Sequence, residues 1–398
     1  MCTGFYQCKV HFITFDQMDR LYKDNPHILI IPDSFKGSLT AEEVAHISYD
    51  VIQQIYPKAV CTLMPFSDGG EGALAVLKNS VNGQMTNCQT VNAIGERITA
   101  PYVVFEKGES AWIELSQASG LSQLSASQRN PLVTSTYGTG LQIRDALHKR
   151  CQNIYLGIGG SCTHDIGTGI FTALGGKLLD SKGKTVDPSG GNLTSISSVD
   201  SSDLNPMATQ ANWIIACDVE NPLTGPMGAA HTYAGQKGAN NAAIHTLEEG
   251  SVYFGNLLRK VLNADVFNIV GGGAAGGVSA GLHALLGSNI ENGFDILSKI
   301  TNLEIDIKKA DLVITGEGCF DKQSMHGKLP YRIAKIAKQY GVLTYIITGQ
   351  TEEKNLPEFP DLTIVQTKKD NMSVAEAMNR AEELLREKLM EVFTNLKL

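Results

Sequence analysis

Short apolar runs of strand length alternate with helix-period segments at both ends of the chain. Residues 27–31, His-Ile-Leu-Ile-Ile, are stopped by Pro32 and suit a strand buried on both faces. Thr40-Ala41-Glu42-Glu43 then forms a capping box, which predicts an amphipathic helix to about Ile55. A strand over 59–64, a Gly-rich turn and a helix from about Glu71 follow. The far end repeats the rhythm, with strands at 311–315, 343–348 and 362–366 and helices at 329–340 and from Ser373 onward. Such alternation predicts right-handed βαβ units and a parallel sheet.

The middle of the chain reads differently. Residues 88–94, 99–106 and 110–115 are strand-like with short polar links, as in an antiparallel meander. A Gly-dense tract, roughly 157–287, comes next. We therefore expect an α/β domain built from both chain ends, 27–85 and 295–398, interrupted by a mixed α/β domain over 86–294. Residues 1–26 read as an N-terminal extension open to disorder, with Met18 as an alternative start.

Composition narrows the function classes. The apolar share of 42% in 398 residues supplies a core for two or three domains. The net charge of −8 excludes generic nucleic-acid binding, which needs basic surface, but not a nucleotide substrate. The 8 cysteines include no C-x-x-C pair, and no signal peptide precedes them, so reduced thiols in the cytoplasm are expected. Residues 270–290 lack charge yet are mostly Gly, Ala and Ser. They predict a tightly packed helix entered through a Gly-rich turn, not a membrane span.

Ligands in open α/β sheets bind beyond the carboxyl ends of the strands. Polar, Gly-rich sequence stands there three times: Asp33-Ser34-Phe35-Lys36-Gly37, Ser67-Asp68-Gly69-Gly70-Glu71-Gly72, and Thr315-Gly316-Glu317-Gly318 with Asp321 and Lys328. In a parallel sheet these loops converge on one crevice. Phosphoryl transfer needs such equipment: cations and backbone N–H groups for phosphate, carboxylates for Mg²⁺ or for the acceptor's proton. On that basis Lys36 and Lys328, with Ser34, Gly69 and Gly70, are candidates for ATP phosphate. Asp68, Glu317 and Asp321 are candidates for catalysis, Asp68 and Glu317 also as Mg²⁺ ligands. Arg129 and Lys237 are candidates for a substrate carboxylate, and Asp165 and Asp218 for the rest of the substrate. Each Asp also has an ordinary reading as a turn or helix cap.

No Walker A is present, since Leu178 stands where the first Gly preceding Gly183-Lys184-Thr185 belongs. Gly271-Gly272-Gly273-Ala274-Ala275-Gly276 matches G-x-G-x-x-G after an expected strand at 266–270. That keeps a dinucleotide-dependent dehydrogenase as an alternative.

Taken in order, several segments resemble the bacterial-type glycerate kinases. They are residues 31–36, Asp68-Gly69-Gly70-Glu71-Gly72, residues 113–121, Arg129-Asn130-Pro131-Leu132, Tyr137-Gly138-Thr139-Gly140, Cys217-Asp218-Val219, Gln236-Lys237-Gly238-Ala239 and Thr315-Gly316-Glu317-Gly318. The resemblance runs from about residue 28 to the end. It implies a flavodoxin-like domain interrupted by a mixed α/β domain, with D-glycerate and ATP-Mg²⁺ as substrates and 2-phosphoglycerate as product. A 3-phosphoglycerate-forming enzyme and an inactive, metabolite-binding relative stay open, as does a homo-oligomer. One turn departs from the family: Ser161-Cys162-Thr163-His164-Asp165-Ile166-Gly167 carries His164 and Ile166 where such kinases usually have Asn and Gly. Ile there resists the positive φ that Gly adopts freely, and His adds a titratable ring.

Overall fold

The computed structural model describes residues 25–67, 69–70, 72–325, 327–352 and 361–396. The chain divides into two compact units. The first runs to Ser67 and resumes at Asn302; the second comprises the residues between.

In the first unit, β1 (His27–Pro32), β2 (Val60–Leu63), β11 (Leu312–Phe320), β12 (Leu343–Thr351) and β13 (Leu362–Gln366) form one sheet in the order β13-β12-β11-β1-β2. Every pairing is parallel. Renumbered along the unit this is 2-1-3-4-5, the flavodoxin-like order, whose direction reverses between β1 and β11. The helix Ala41–Ile55 has the capping box at Thr40 and Glu43, and its buried face includes Val44, Ile47 and Val51. The helix Ala381–Asn395 packs Leu385, Leu389 and Phe393 into the same core.

Two expectations change here. The predicted loop at 315–318 is strand, because β12 stays in register with β11 as far as Phe320 and Thr351. Glycines 316 and 318 favoured a loop in the sequence. They serve close approach instead: a Cβ on Gly316 would stand 2.2 Å from the Ile347 carbonyl oxygen. The C-terminal helix is broken into Val374–Asn379 and Ala381–Asn395 at Arg380.

The second unit has a six-stranded sheet. Its strands are β3 (Gln84–Val91), β4 (Arg97–Phe105), β5 (Ser110–Glu114), β6 (Asn153–Gly157), β9 (Asn212–Ala216) and β10 (Asn289–Glu291), in the order β10-β9-β6-β5-β4-β3. The expected meander is there, since β3, β4 and β5 pair antiparallel. The other pairings, β5 with β6, β6 with β9 and β9 with β10, are parallel. A small hairpin, β7 (Lys177–Leu179) and β8 (Ser198–Asp200), stands apart from this sheet.

The helix Ala274–Leu286 is entered through a Gly-rich turn as expected, with Ala275, Gly276 and Gly277 all in the left-handed region. No strand forms at 266–270: Asn263 ends the preceding helix, and Val270 is 69% exposed. The G-x-G-x-x-G match therefore lacks the strand a dinucleotide site requires. Among the described residues no helix is long and apolar enough to cross a membrane.

Candidate active site

Among the described residues, both units bring chemical groups together. In the first, β11 delivers Glu317 to the sheet's carboxyl edge. The Lys328 Nζ stands 3.4 Å from Glu317 Oε2 and 3.2 Å from Asp321 Oδ1. Asp321 also accepts from the Ser324 backbone N–H at 2.8 Å, so it caps a helical turn while holding the lysine. Burial pushes the Glu317 carboxyl above its usual range against the pull of Ser324 and Lys328, and Asp33 adds to the rise. Burial also opposes charge on Asp321 and Lys328. Their hydrogen bonds and mutual attraction outweigh it, holding Asp321 low and Lys328 high. The Glu317 Oε1 atom is buried and has no hydrogen-bond partner among the described residues. After β1, Phe35 pairs with Leu39 in a tight turn that leaves Lys36 exposed at its tip and Ser34 half-buried.

The second unit holds a cavity of about 250 Å³ at the carboxyl ends of β6 and β9. Gly159, Gly160 and Ser161 come from the turn after β6, Cys217, Asp218 and Val219 from the turn after β9. Gln236, Lys237, Ala274, Ala275 and Gly70 also line it. Lys237 is 2% exposed, and its ammonium donates to Ser161 Oγ at 2.8 Å and to the Thr163 carbonyl at 2.7 Å. Burial pulls its pKa down to about 8, while Cys162 and Asp165 pull the other way. Gly238 follows at φ 95°, and a Cβ there would meet the Arg129 carbonyl oxygen at 2.2 Å, so glycine alone fits.

The cavity wall rests on the altered turn. Asp165 is fully buried and accepts from Thr136 N and Oγ1, Ser135 Oγ, Gly167 N and Gly169 N. It ties the start of the helix Tyr137–His148 to that of the helix Thr168–Ala173. His164 is buried, with Nε2 3.0 Å from Ser251 Oγ, whose hydroxyl donates to Leu247 O. Nε2 therefore carries the proton, and Nδ1 has no partner among the described residues. Burial and Lys237 lower its pKa to about 3, so the ring stays neutral and adds no switch near neutral pH. Ile166 adopts φ 53° despite its branched Cβ. Its side chain is wholly buried, and glycines 277 and 281 supply the room beside it.

That arrangement gives a stability prediction. Ile166→Gly relieves about 1–2 kcal/mol of left-handed strain, but removing a buried aliphatic side chain costs about 2–5 kcal/mol. The second effect wins, so denaturant unfolding should show a net loss. Equal or higher stability would mean the strain exceeds the packing.

Of the residues singled out in the sequence, Glu317, Asp321 and Lys328 meet in the first unit, and Lys237, Asp218 and Gly70 in the second unit's cavity. Arg129 is not among the cavity-lining residues; it donates to the carbonyl of Leu121, which is one. Asp165 is not in the lining either, and Gly69 packs its φ 95° backbone against Gly293. Asp68 lies outside the described residues. Ser161 and Gln236 were visible only as motif members. Ser161 opens the 161–167 turn that departs from the family, which is its signal in the sequence, whereas Gln236 carries none beyond its neighbour Lys237.

Comparison with known proteins agrees with this architecture. Residues 28–397 match the glycerate kinase family. The chain is 41% identical to a glycerate kinase of Halalkalibacterium halodurans, over 81% of this chain and 85% of that one. It is 40% identical to the glycerate 2-kinase of Escherichia coli K12, over 79% and 82%. A crystal structure from Salmonella typhimurium LT2, provisionally assigned as glycerate kinase 2, superposes with a TM-score of 0.82 at 36% identity, covering 94% of this chain and 98% of that one. This chain is a kinase and belongs to the glycerate kinase family.

Proposed function

We propose that the protein phosphorylates D-glycerate at its 2-hydroxyl, with ATP-Mg²⁺ as donor. The observation that carries this is the small cavity containing a buried ammonium, in a chain 40% identical to a glycerate 2-kinase. A cavity of about 250 Å³ suits a three-carbon acid, and Lys237 supplies the charge for its carboxylate. In the first unit Lys328 is the cation for transferring phosphate oxygens. Magnesium fits there too: Glu317 Oε1 is a buried acceptor with no partner among the described residues, and Asp321 shares Lys328 with Glu317. Among the described residues no cluster of three metal-binding side chains exists. The ion would accordingly be held by one or two carboxylates together with phosphate oxygens, the usual pattern for Mg²⁺. When bound it neutralises phosphate charge. The six described free cysteines accord with a cytoplasmic setting, which is part of this proposal.

The test is ATP consumption with D-glycerate, L-glycerate or glycerol as acceptor, the product being passed directly to enolase without a mutase. Consumption with D-glycerate alone, and immediate conversion by enolase, is expected. No glycerate-dependent consumption would sink the proposal, and a requirement for mutase would move the phosphate to the 3-position.

A pH prediction follows from Lys237. Carboxylate binding requires the ammonium, so kcat/KM for glycerate should fall about tenfold per unit above pH 8. Stability moves oppositely. Between about 8 and 10.5 the unfolded chain keeps a proton that native Lys237 has lost, so unfolding free energy rises with pH in that window. Denaturant unfolding of wild type against Lys237→Met isolates this contribution. The difference should shift toward wild type from pH 8 to 10.5.

A further inference from the structure

One of the two protein acceptors of the Lys237 ammonium is a side-chain oxygen, Ser161 Oγ, and the other is the backbone oxygen of Thr163. That oxygen belongs to the peptide group joining Thr163 to His164. Whatever holds this peptide therefore holds one of the acceptors of a buried charge.

Of the two side chains flanking the peptide, one is equipped to anchor it. Thr163 Oγ1 is buried and has no hydrogen-bond partner among the described residues. The His164 ring, by contrast, reaches the helix Asn241–Leu262 and donates from Nε2 to Ser251 Oγ at 3.0 Å. Ser251 passes its own hydroxyl hydrogen to Leu247 O at 2.8 Å, which fixes its oxygen as the acceptor. Bare backbone also packs against this peptide: a Cβ on Gly276 would stand 2.3 Å from Thr163 O and 2.5 Å from His164 Cα. Such contact blocks movement toward Gly276 but does not stop the peptide from turning away. A directed bond does.

We propose that His164 is a positioning residue: its bond to Ser251 sets the peptide whose oxygen holds the Lys237 ammonium, and so sets where that ammonium stands in the cavity. The ring acts by geometry, since it is neutral. The consequence for catalysis rests on the functional reading above, in which Lys237 receives the glycerate carboxylate; the placement of the ammonium does not.

The titratable groups around the ammonium are Cys162 and Asp165, which favour its charge, and neutral His164. Arg129 acts with Lys237 on Cys162, and Cys217, Asp218 and Tyr233 share the cavity lining. The variants Ser251→Ala, His164→Phe and the double variant add or remove no charge near neutral pH or above. A change in the titration of Lys237 then reports the loosened peptide. Losing a well-placed acceptor disfavours the ammonium, so the Lys237 pKa of about 8 should fall by about one unit.

Denaturant unfolding of the full chain, with each variant compared with its own Lys237→Met counterpart across pH, reads this without any substrate. The gain that Lys237 gives wild type sets in near pH 8, and in all three variants it should set in about one unit lower. Because one bond is broken in each, the two single shifts should not add in the double variant. The double variant also removes both polar partners, which keeps the measurement possible if an unpaired group makes either single variant unstable. The alkaline fall of kcat/KM for D-glycerate should move down with it.

An onset displaced by less than about half a unit, or shifts that add in the double variant, overturns the positioning role. A displaced onset with an unmoved alkaline fall upholds that role and fails the functional reading of Lys237 instead.

Discussion

Lys237→Met lowers kcat/KM for D-glycerate by about 10²–10³-fold while the protein remains folded. Truncating one partner of a buried, hydrogen-bonded charge pair costs about 2–5 kcal/mol, much of it from the partner left without compensation. Here the partner is the substrate carboxylate, which would enter the cavity without a cation. At 1.4 kcal/mol per decade, the middle of that range gives the stated loss. The fold has less reason to suffer. Methionine approximates the stem of lysine, and the charge whose burial pulls the pKa down to about 8 is gone. Against this, Ser161 Oγ and the Thr163 carbonyl lose their donor, at about 1–3 kcal/mol for each group left unsatisfied. Steady-state kinetics with calorimetry separates the outcomes. Activity within about threefold of wild type would show that this cavity does not receive glycerate.

The second large effect is on stability. Gly281→Ala would place a Cβ 1.7 Å from the Ile166 carbonyl oxygen, 2.7 Å from its carbon and 2.9 Å from its Cγ2. Ile166 has little freedom to retreat. Its φ of 53° is already strained, its amide donates to Gly276 O at 3.1 Å, and its side chain is enclosed. Overpacking of ordinary cores costs about 1–3 kcal/mol. A clash of backbone with backbone should exceed that and lower Tm by about 10 °C or more for a unit of this size. Gly235→Ala is the matched control: nothing lies within 4 Å of its added Cβ and its φ is not positive, so its effect should stay within about 0.5 kcal/mol. Similar melting of both variants would show that the turn at 163–167 can move, and that Ile166 is not locked.

Much of this protein was legible without coordinates. The apolar run at 27–31, the capping box at Thr40 and the alternation at the far end determined a parallel α/β layer made from both chain ends. They do so because strand and helix periods are local properties of sequence. The resemblance of ordered motifs from Ile31 to Lys328 supplied the family, and the comparisons agree with it.

Tertiary structure decided what depends on distant neighbours. Gly316 and Gly318 read as a loop, yet pairing with β12 carries the strand through them. Asp165 reads as a substrate ligand, yet five protein donors converge on it. Ile166 reads as incompatible with a left-handed turn, yet glycines more than 100 residues later leave the room it needs. The sequence by itself determined which residues could bear charge. Only the folded chain decided that the Lys237 ammonium lies buried in a cavity, donating to Ser161 and to the Thr163 carbonyl, because burial and hydrogen-bond partners arise from the packing of segments far apart in sequence.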